Sequence, residues 1–245
     1  MTTPSETDAV RARYERRKND INIDRYSLLN PDVWQSVHER QRVMLRLFAK
    51  LGLSNFADTK LLEVGCGAGG NLLELLRLGF QPDNLIGIEL LNDRVVQANK
   101  VLPAGMVRAG DAAGAAIPLA SQDVVLQSTV FSSLLDDTFQ EELANKMWSW
   151  VKPGGGVLWY DFIYNNPNNP DVRGVPVKRI RTLFPQAVIT VKRVTLAPPI
   201  ARRVCCVHPG LYSVINALPL LRTHVLCWIQ KTASAQLHTG VTTHG

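Results

Sequence analysis

One ten-residue run, Leu61-Leu-Glu-Val-Gly-Cys-Gly-Ala-Gly-Gly70, constrains the fold more than any other feature of the chain. It opens as a short apolar strand and then clusters glycines where a helical pattern, Asn71 to Leu78, begins. Gly79 closes that pattern. A strand, a glycine-rich turn and a helix in that order bring backbone close to a ligand, because any Cβ in the turn would stand in the way. Gly65, Gly67 and Gly70 also satisfy the dinucleotide spacing GxGxxG, so these glycines alone leave the ligand type open.

Downstream, short apolar runs alternate with helical segments. NLIGIEL reads as a second strand and Asp93 to Lys100 as a helix. MVRAGD is a third strand, and QDVVLQS a fourth. A helix follows from about Thr138 to Trp150, then a fifth strand, GVLWYDF. AVITVKRVTLA and HVLCWIQKT are later strands. The alternation predicts an α/β, doubly wound sheet, mostly parallel, with helices on both faces and ligands at the strands' C-terminal ends. Upstream, Val33, Trp34, Val37, Val43, Leu45, Phe48 and Leu51 recur at helical spacing over residues 31–51, ended by Gly52. Residues 1–20 are polar, with basic Arg11, Arg13, Arg16, Arg17 and Lys18, and read as a frayed tail leading into a helix. The expected division is an N-terminal tail and helical cap over 1–55, a ligand-binding domain over 56–232 with a helical insertion near 203–222, and a flexible polar tail over 233–245.

Composition narrows the class. With 46% hydrophobic and 20% charged residues in 245, the chain can bury a sizeable core and is neither fibrous nor disordered. No run approaches the ~18 apolar residues of a membrane span, and the first residues lack a secretory pattern, so a cytoplasmic protein is expected. Cys66, Cys205, Cys206 and Cys227 form no CxxC pair, and the five histidines show no HxxxH spacing; no protein metal site is expected. The net charge is +6. Asp171 to Arg203 holds eight Lys/Arg and one acid, which suits a solvated face, nucleic acid, a phosphorylated substrate or an anionic membrane surface.

Three acids separate the ligand readings. Glu89 ends the second strand, where a carboxylate accepts from ribose hydroxyls. Glu63 lies two residues before Gly65, where a dinucleotide would place its pyrophosphate and where a carboxylate instead favours an ammonium group. Asp111, after Gly110, can accept from an adenine amino group while the N–H of Ala112 donates to a ring nitrogen. Ribose, adenine and ammonium recognition together describe S-adenosylmethionine.

On these residues the chain resembles a class I S-adenosylmethionine-dependent methyltransferase of the small bacterial type. The family's glycine motif is matched by Glu63-Val-Gly-Cys-Gly-Ala-Gly69, its ribose acid by Glu89 and its adenine-side acid by Asp111. Ser121-Gln-Asp-Val-Val-Leu-Gln127 is similar to the fourth-strand motif, with Gln122 in place of the usual aromatic, and Val151-Lys-Pro-Gly-Gly-Gly156 resembles the turn before the fifth strand. The resemblance implies a Rossmann-like sheet of seven strands whose last, HVLCWIQKT, is reversed. It places Glu63, Gly65, Cys66 and Gly67 along the methionine part. It places Glu89 on the ribose, Leu90 beside the adenine, Asp111 and Ala112 on the adenine edge, and Gln127 and Ser128 on the methionine side. Cys66 is read as a small residue whose backbone matters rather than as a nucleophile.

The acceptor would sit beyond the fourth and fifth strands. Tyr160, Asp161, Asn165 and Asn166 offer donors and acceptors there. Asp161 is the first candidate for a general base and His208 the second. The Asn/Pro run after Phe162 lacks the NPPY-type pattern of nucleic-acid amino methyltransferases. Leu211 to Leu221 reads as an apolar helix that either packs on the sheet or covers an apolar acceptor. The leading expectation is an enzyme methylating a small molecule in biosynthesis. An RNA methyltransferase is the runner-up, supported by the basic charge but with no RNA-binding module. A non-catalytic cofactor-binding protein comes third, and a nicotinamide-dependent oxidoreductase is disfavoured by Glu63 and Asp111.

Overall fold

The computed structural model describes residues 5–20, 23–167 and 169–233. The expected polar tail, beyond its first residue, lies outside them. Two helices, α1 (Glu6–Asp20) and α2 (Pro31–Lys50), precede the sheet. Then follow β1 (Leu61–Val64), α3 (Gly70–Arg77), β2 (Leu85–Glu89), α4 (Asn92–Ala98), β3 (Val107–Ala109), β4 (Gln122–Ser128), α5 (Asp137–Trp150) and β5 (Val151–Phe162). The chain ends with α6 (Val177–Leu183), β6 (Val188–Leu196), α7 (Pro198–Val207), α8 (Leu211–Ile215) and β7 (Arg222–Gln230).

The seven strands lie in the order β3-β2-β1-β4-β5-β7-β6. β1 to β5 are parallel, and β7 runs antiparallel to both β5 and β6, as the resemblance implied. β1 pairs with both β2 and β4, so successive crossovers leave on opposite sides there. A crevice opens at that switch point beyond the strands' C-terminal ends. The glycine turn and the ends of β2 and β4 all meet in it.

Side chains alternate across the sheet. Val125, Val157, Trp159, Val225 and Cys227 pack on one face with Met147 and Trp150 of α5 and Ile180 of α6. Leu61, Val124, Leu126, Leu158 and Tyr160 pack on the other with Phe48 of α2, Leu72 and Leu75 of α3 and Val95 of α4. Leu72 and Leu75 are fully buried, worth about 1.5–3 kcal/mol each over exposure. That burial anchors the helix that follows the glycine turn.

Three segments depart from the expectation. Residues 6–20 form a helix rather than a frayed tail. Its sequence has no apolar stripe, and it docks through Val10 together with Arg13, buried against Glu6. β5 begins at Val151, so the expected turn over 151–156 belongs to the strand; Gly154, at φ +86°, and a register shift opposite Gln122 absorb the irregularity. α7 begins at Pro198, and 211–221 is not one helix: α8 stops at Ile215, and Pro219–Leu221 makes a separate 3-10 turn. Pro219 cannot continue the α-helical hydrogen bonding.

Candidate active site

The glycines of the β1–α3 turn are in the left-handed region: Gly65 at φ +64°, Gly67 at +57° and Gly69 at +83°. A Cβ on Gly65 would lie 2.5 Å from Val130 Cγ2, and one on Gly69 2.5 Å from Leu102 Cδ1. Both glycines are demanded by packing as well as by conformation. Gly67 differs. Its nearest neighbour would be Arg94 Nη1 at 3.9 Å, so the turn is open on that side.

Glu89 closes the turn from beneath. Its carboxylate accepts from the Gly67 N–H at 2.7 Å and from the Leu91 N–H at 2.9 Å. A carboxylate has about four acceptor positions, so two remain for a ligand's hydroxyls. Asp111 accepts from the Ala113 N–H at 2.9 Å, a local turn that leaves its second oxygen free of this bond. Gly65, Glu89, Leu90, Asp111, Ala112 and Ser128 line a cavity of about 110 Å³. The sequence-predicted ribose and adenine groups thus converge.

The cavity has a roof that the sequence did not reveal. Thr7, Val10 and Tyr14 of α1 lie over it, and the Arg94 guanidinium stacks on the Tyr14 ring at 4.5 Å. Glu6 holds the helix down: it pairs with Arg13 at 2.5 Å and accepts from the Leu135 N–H at 2.7 Å. Arg13 also donates to the Ser133 carbonyl at 3.0 Å, and the Tyr14 hydroxyl meets Ser133 Oγ at 3.2 Å.

Glu63 is 1% exposed. One oxygen accepts from Asn71 Nδ2 at 2.6 Å; the other is buried with no hydrogen-bond partner. Burial pushes its pKa up to about 7 despite Asn71 and the nearby Arg40 charge. An orphaned buried carboxylate oxygen at a ligand turn is what an incoming cationic donor would satisfy. With the open face of Gly67 and the cavity acids, the residues present fit an adenosine bearing an amino acid.

Arg40 of α2 was also missed. It donates to Asn71 Oδ1 at 2.8 Å and to Ser128 Oγ at 3.2 Å, and its guanidinium lies over the Tyr160 ring at 4.8 Å. Arg40, Asn71, Ser128 and Tyr160 border a second, smaller cavity of about 30 Å³. Helical spacing placed residue 40 on the polar side of α2, and nothing in that pattern marks it as facing a site.

The remaining expected residues separate. The Cys66 thiol is buried beneath Gly87, where burial raises its pKa, so this residue offers the site backbone only. Gln127 does not face the cavities: fully buried, it donates to the Tyr160 carbonyl at 3.3 Å and accepts from the Val130 N–H at 3.1 Å. Tyr160 does face the crevice. Its hydroxyl meets Thr195 Oγ1 at 2.9 Å and its ring stacks on His224 at 5.1 Å. The Thr195 N–H in turn donates to Glu39 at 3.0 Å, which also takes the Tyr212 hydroxyl at 2.8 Å.

Asp161 is a correction. As the next residue along β5 it points to the opposite face from Tyr160, is 0% exposed and lines neither cavity. It accepts from the Ser132 N–H at 3.1 Å and from its neighbour Phe162 at 2.9 Å, with its pKa raised by burial to about 7. His208 is a second correction: exposed after α7, it accepts from the Gly210 N–H at 3.1 Å and belongs to that turn.

Residues 36–188 match the family model described as a methyltransferase domain, more than half of the chain. No curated protein matches in sequence. Among solved structures, magnesium protoporphyrin IX methyltransferase from Synechocystis, with bound SAH, is similar at 12% identity and a TM-score of 0.57, covering 89% of this chain and 93% of that one. A SAM-dependent methyltransferase from Archaeoglobus fulgidus is similar at 15% identity and a TM-score of 0.55, covering 78% and 94%. One from Mesorhizobium loti matches at 14% identity and a TM-score of 0.54, covering 75% and 97%. With the matched domain and the sheet order in agreement, the chain belongs to the methyltransferase-domain family.

Proposed function

We propose that the protein transfers a methyl group from S-adenosylmethionine to a small-molecule acceptor. The observation that carries the acceptor class is the roof: α1 lies over the adenosine-side cavity and α2 brings Arg40 across the methionine side. A site covered on two sides suits a small acceptor better than a base held in a polynucleotide. In this reading Glu63 holds the donor's ammonium, Glu89 its ribose hydroxyls, and Asp111 with the Ala112 N–H its adenine edge. The bound sulfonium supplies an already activated methyl group, so the residues need chiefly to align it and exclude water. The Tyr160 ring and Ser128 form the wall where the acceptor would lie, beside Arg40. Burial raises the Tyr160 pKa, so its hydroxyl positions the acceptor rather than taking its proton. Asp161 acts through the 131–133 turn, whose Ser133 lines the larger cavity, and is a positioning residue.

The RNA reading keeps one supporting observation, the basic charge of the C-terminal region. The two are separated by incubating the protein with methyl-labelled donor and either a small-metabolite extract or bulk tRNA. Label in the low-molecular-mass fraction supports the proposal. Label only in tRNA, with binding that falls steeply as salt rises, supports the other.

A further inference from the structure

From Val172 onward the sequence carries ten Lys/Arg and no Asp or Glu, whereas residues 1–171 carry 17 basic and 21 acidic residues. Folded, this acid-free region contains β6, α7, α8 and β7. Lys192, Arg193 and Arg203 are exposed on it, and among the described residues none of the three makes an ion pair. The same region turns large apolar side chains to solvent: Val207 is 78% exposed, Val214 65%, Leu218 56% and Leu220 87%. This is not because the segment lacks a core. Leu196, Ala201, Cys205 and Tyr212 form a buried cluster beneath it. The helices satisfy one side and present a second apolar side outward.

The start of α2 extends this surface. α2 packs along α7, where burial, and then the nearby Asp32 carboxylate, raise the pKa of Cys205. Beside it Leu29 is 91% and Trp34 48% exposed. Apolar protrusions beside basic side chains, with Asp32 the acid that α2 brings to the edge, are the combination that an anionic bilayer surface binds: side chains enter the headgroup boundary while Lys and Arg meet lipid phosphates. RNA would use the charge but gain nothing from four exposed aliphatic residues. No helix among the described residues is long and apolar enough to cross a membrane, so the contact would be interfacial.

We propose that the α7–α8 face, with the start of α2, docks on an anionic membrane surface. Docking would set α2, whose Arg40 borders the crevice, beside the bilayer. If the protein is the small-molecule methyltransferase proposed above, its acceptor is then an amphipathic compound dissolved in the membrane. The docking itself does not rest on that reading, because it is measured without donor or acceptor.

The test is sedimentation of the full chain with phosphatidylcholine vesicles, with and without a phosphatidylglycerol fraction. The expected result is binding to the anionic vesicles that weakens with salt and falls roughly fivefold for each of Lys192→Ser and Arg203→Ser. Leu220→Ser combined with Val214→Ser should weaken it by about tenfold or more while thermal stability stays near that of the parent, since both side chains are already in solvent. Failure to bind anionic vesicles overturns the proposal. So does binding that ignores the two apolar substitutions, which is charge attraction alone. A concentration-dependent dimer abolished by Leu220→Ser also overturns it, because the face is then an interface between copies. Any of these results leaves methyl transfer untouched.

Discussion

Asn71 donates to one oxygen of Glu63 at 2.6 Å and leaves the other buried and unpaired. The pair is thus half-built, with Glu63 raised by burial to a pKa of about 7. A donor ammonium would complete it and favour the charged carboxylate. Affinity for S-adenosylhomocysteine, which carries the same ammonium, should therefore rise about tenfold per pH unit from pH 5 toward 7 and level off above. Calorimetry at pH 6 in two buffers of different ionisation enthalpy should show proton release on binding. Proton-neutral binding and a flat pH profile would remove Glu63 from ammonium recognition.

Glu89 has two duties. It is the expected ribose ligand, and it also takes the N–H groups of Gly67 and Leu91. Glu89→Ala should cost about 1–3 kcal/mol in S-adenosylhomocysteine binding. It should also lower Tm in the ligand-free protein, because the buried N–H of Leu91 and the half-buried N–H of Gly67 lose their acceptor. An unchanged Kd with a lowered Tm would make Glu89 a brace for the turn and nothing more.

The α1 roof holds a buried ion pair, Glu6 with Arg13, whose two members also bond Leu135 and Ser133. Removing Arg13 or Glu6 leaves the partner's charge uncompensated, typically a cost of about 3–5 kcal/mol. α1 has little apolar burial beyond Val10, so the helix should release before the domain unfolds. Glu6→Gln should speed hydrogen exchange across residues 6–20 and weaken S-adenosylhomocysteine binding, with a smaller change in the main unfolding transition. Unaltered exchange in α1 would show that other contacts hold the roof.

The sheet and the meeting of Glu89 and Asp111 at one cavity were legible in the sequence because they are local. Glu63, Gly65, Glu89 and Asp111 each sit at a fixed offset from a strand's end, and the strands announce themselves as apolar runs. The roof was not legible, since Glu6 and Arg13 pair with each other and with a loop more than a hundred residues away, leaving no periodicity to read. Arg40 and Glu39 occupy adjacent positions on a helix, one bordering the crevice and one buried on Tyr212 and Thr195. Their roles follow from how α2 lies across the sheet. Thr195, at φ +63°, gives no sign in its sequence that it takes a glycine-like conformation to place its N–H on Glu39. The expectation for Asp161 failed for a simpler reason. It was placed correctly at the end of β5, but its carboxylate is fully buried and taken by the N–H groups of Ser132 and Phe162.

That placement yields the last prediction. Asp161 takes two N–H groups while buried completely. An Asn there keeps one acceptor oxygen and turns an NH2 toward the second donor, so Asp161→Asn should cost about 1–3 kcal/mol. For a domain of this size that is a fall of roughly 2–4 °C in Tm per kcal/mol. The cost should depend on pH. The folded pKa of Asp161, about 7, lies above its ordinary carboxylate value, so the folded state holds the extra proton between the two. The parent's stability from this group is complete below the unfolded pKa and is lost as pH rises through 7. Asn does not titrate. The Tm of the parent minus that of the variant should be highest near pH 4, fall as pH rises to 7, change sign where that loss exceeds the cost of the substitution, and stay constant above it. In turnover, a positioning residue should show weakened acceptor and donor binding alongside the stability loss. A variant with parental Tm at every pH and kcat reduced by ~10²–10⁴ would restore Asp161 as the base and require the 131–133 turn to move on ligand binding.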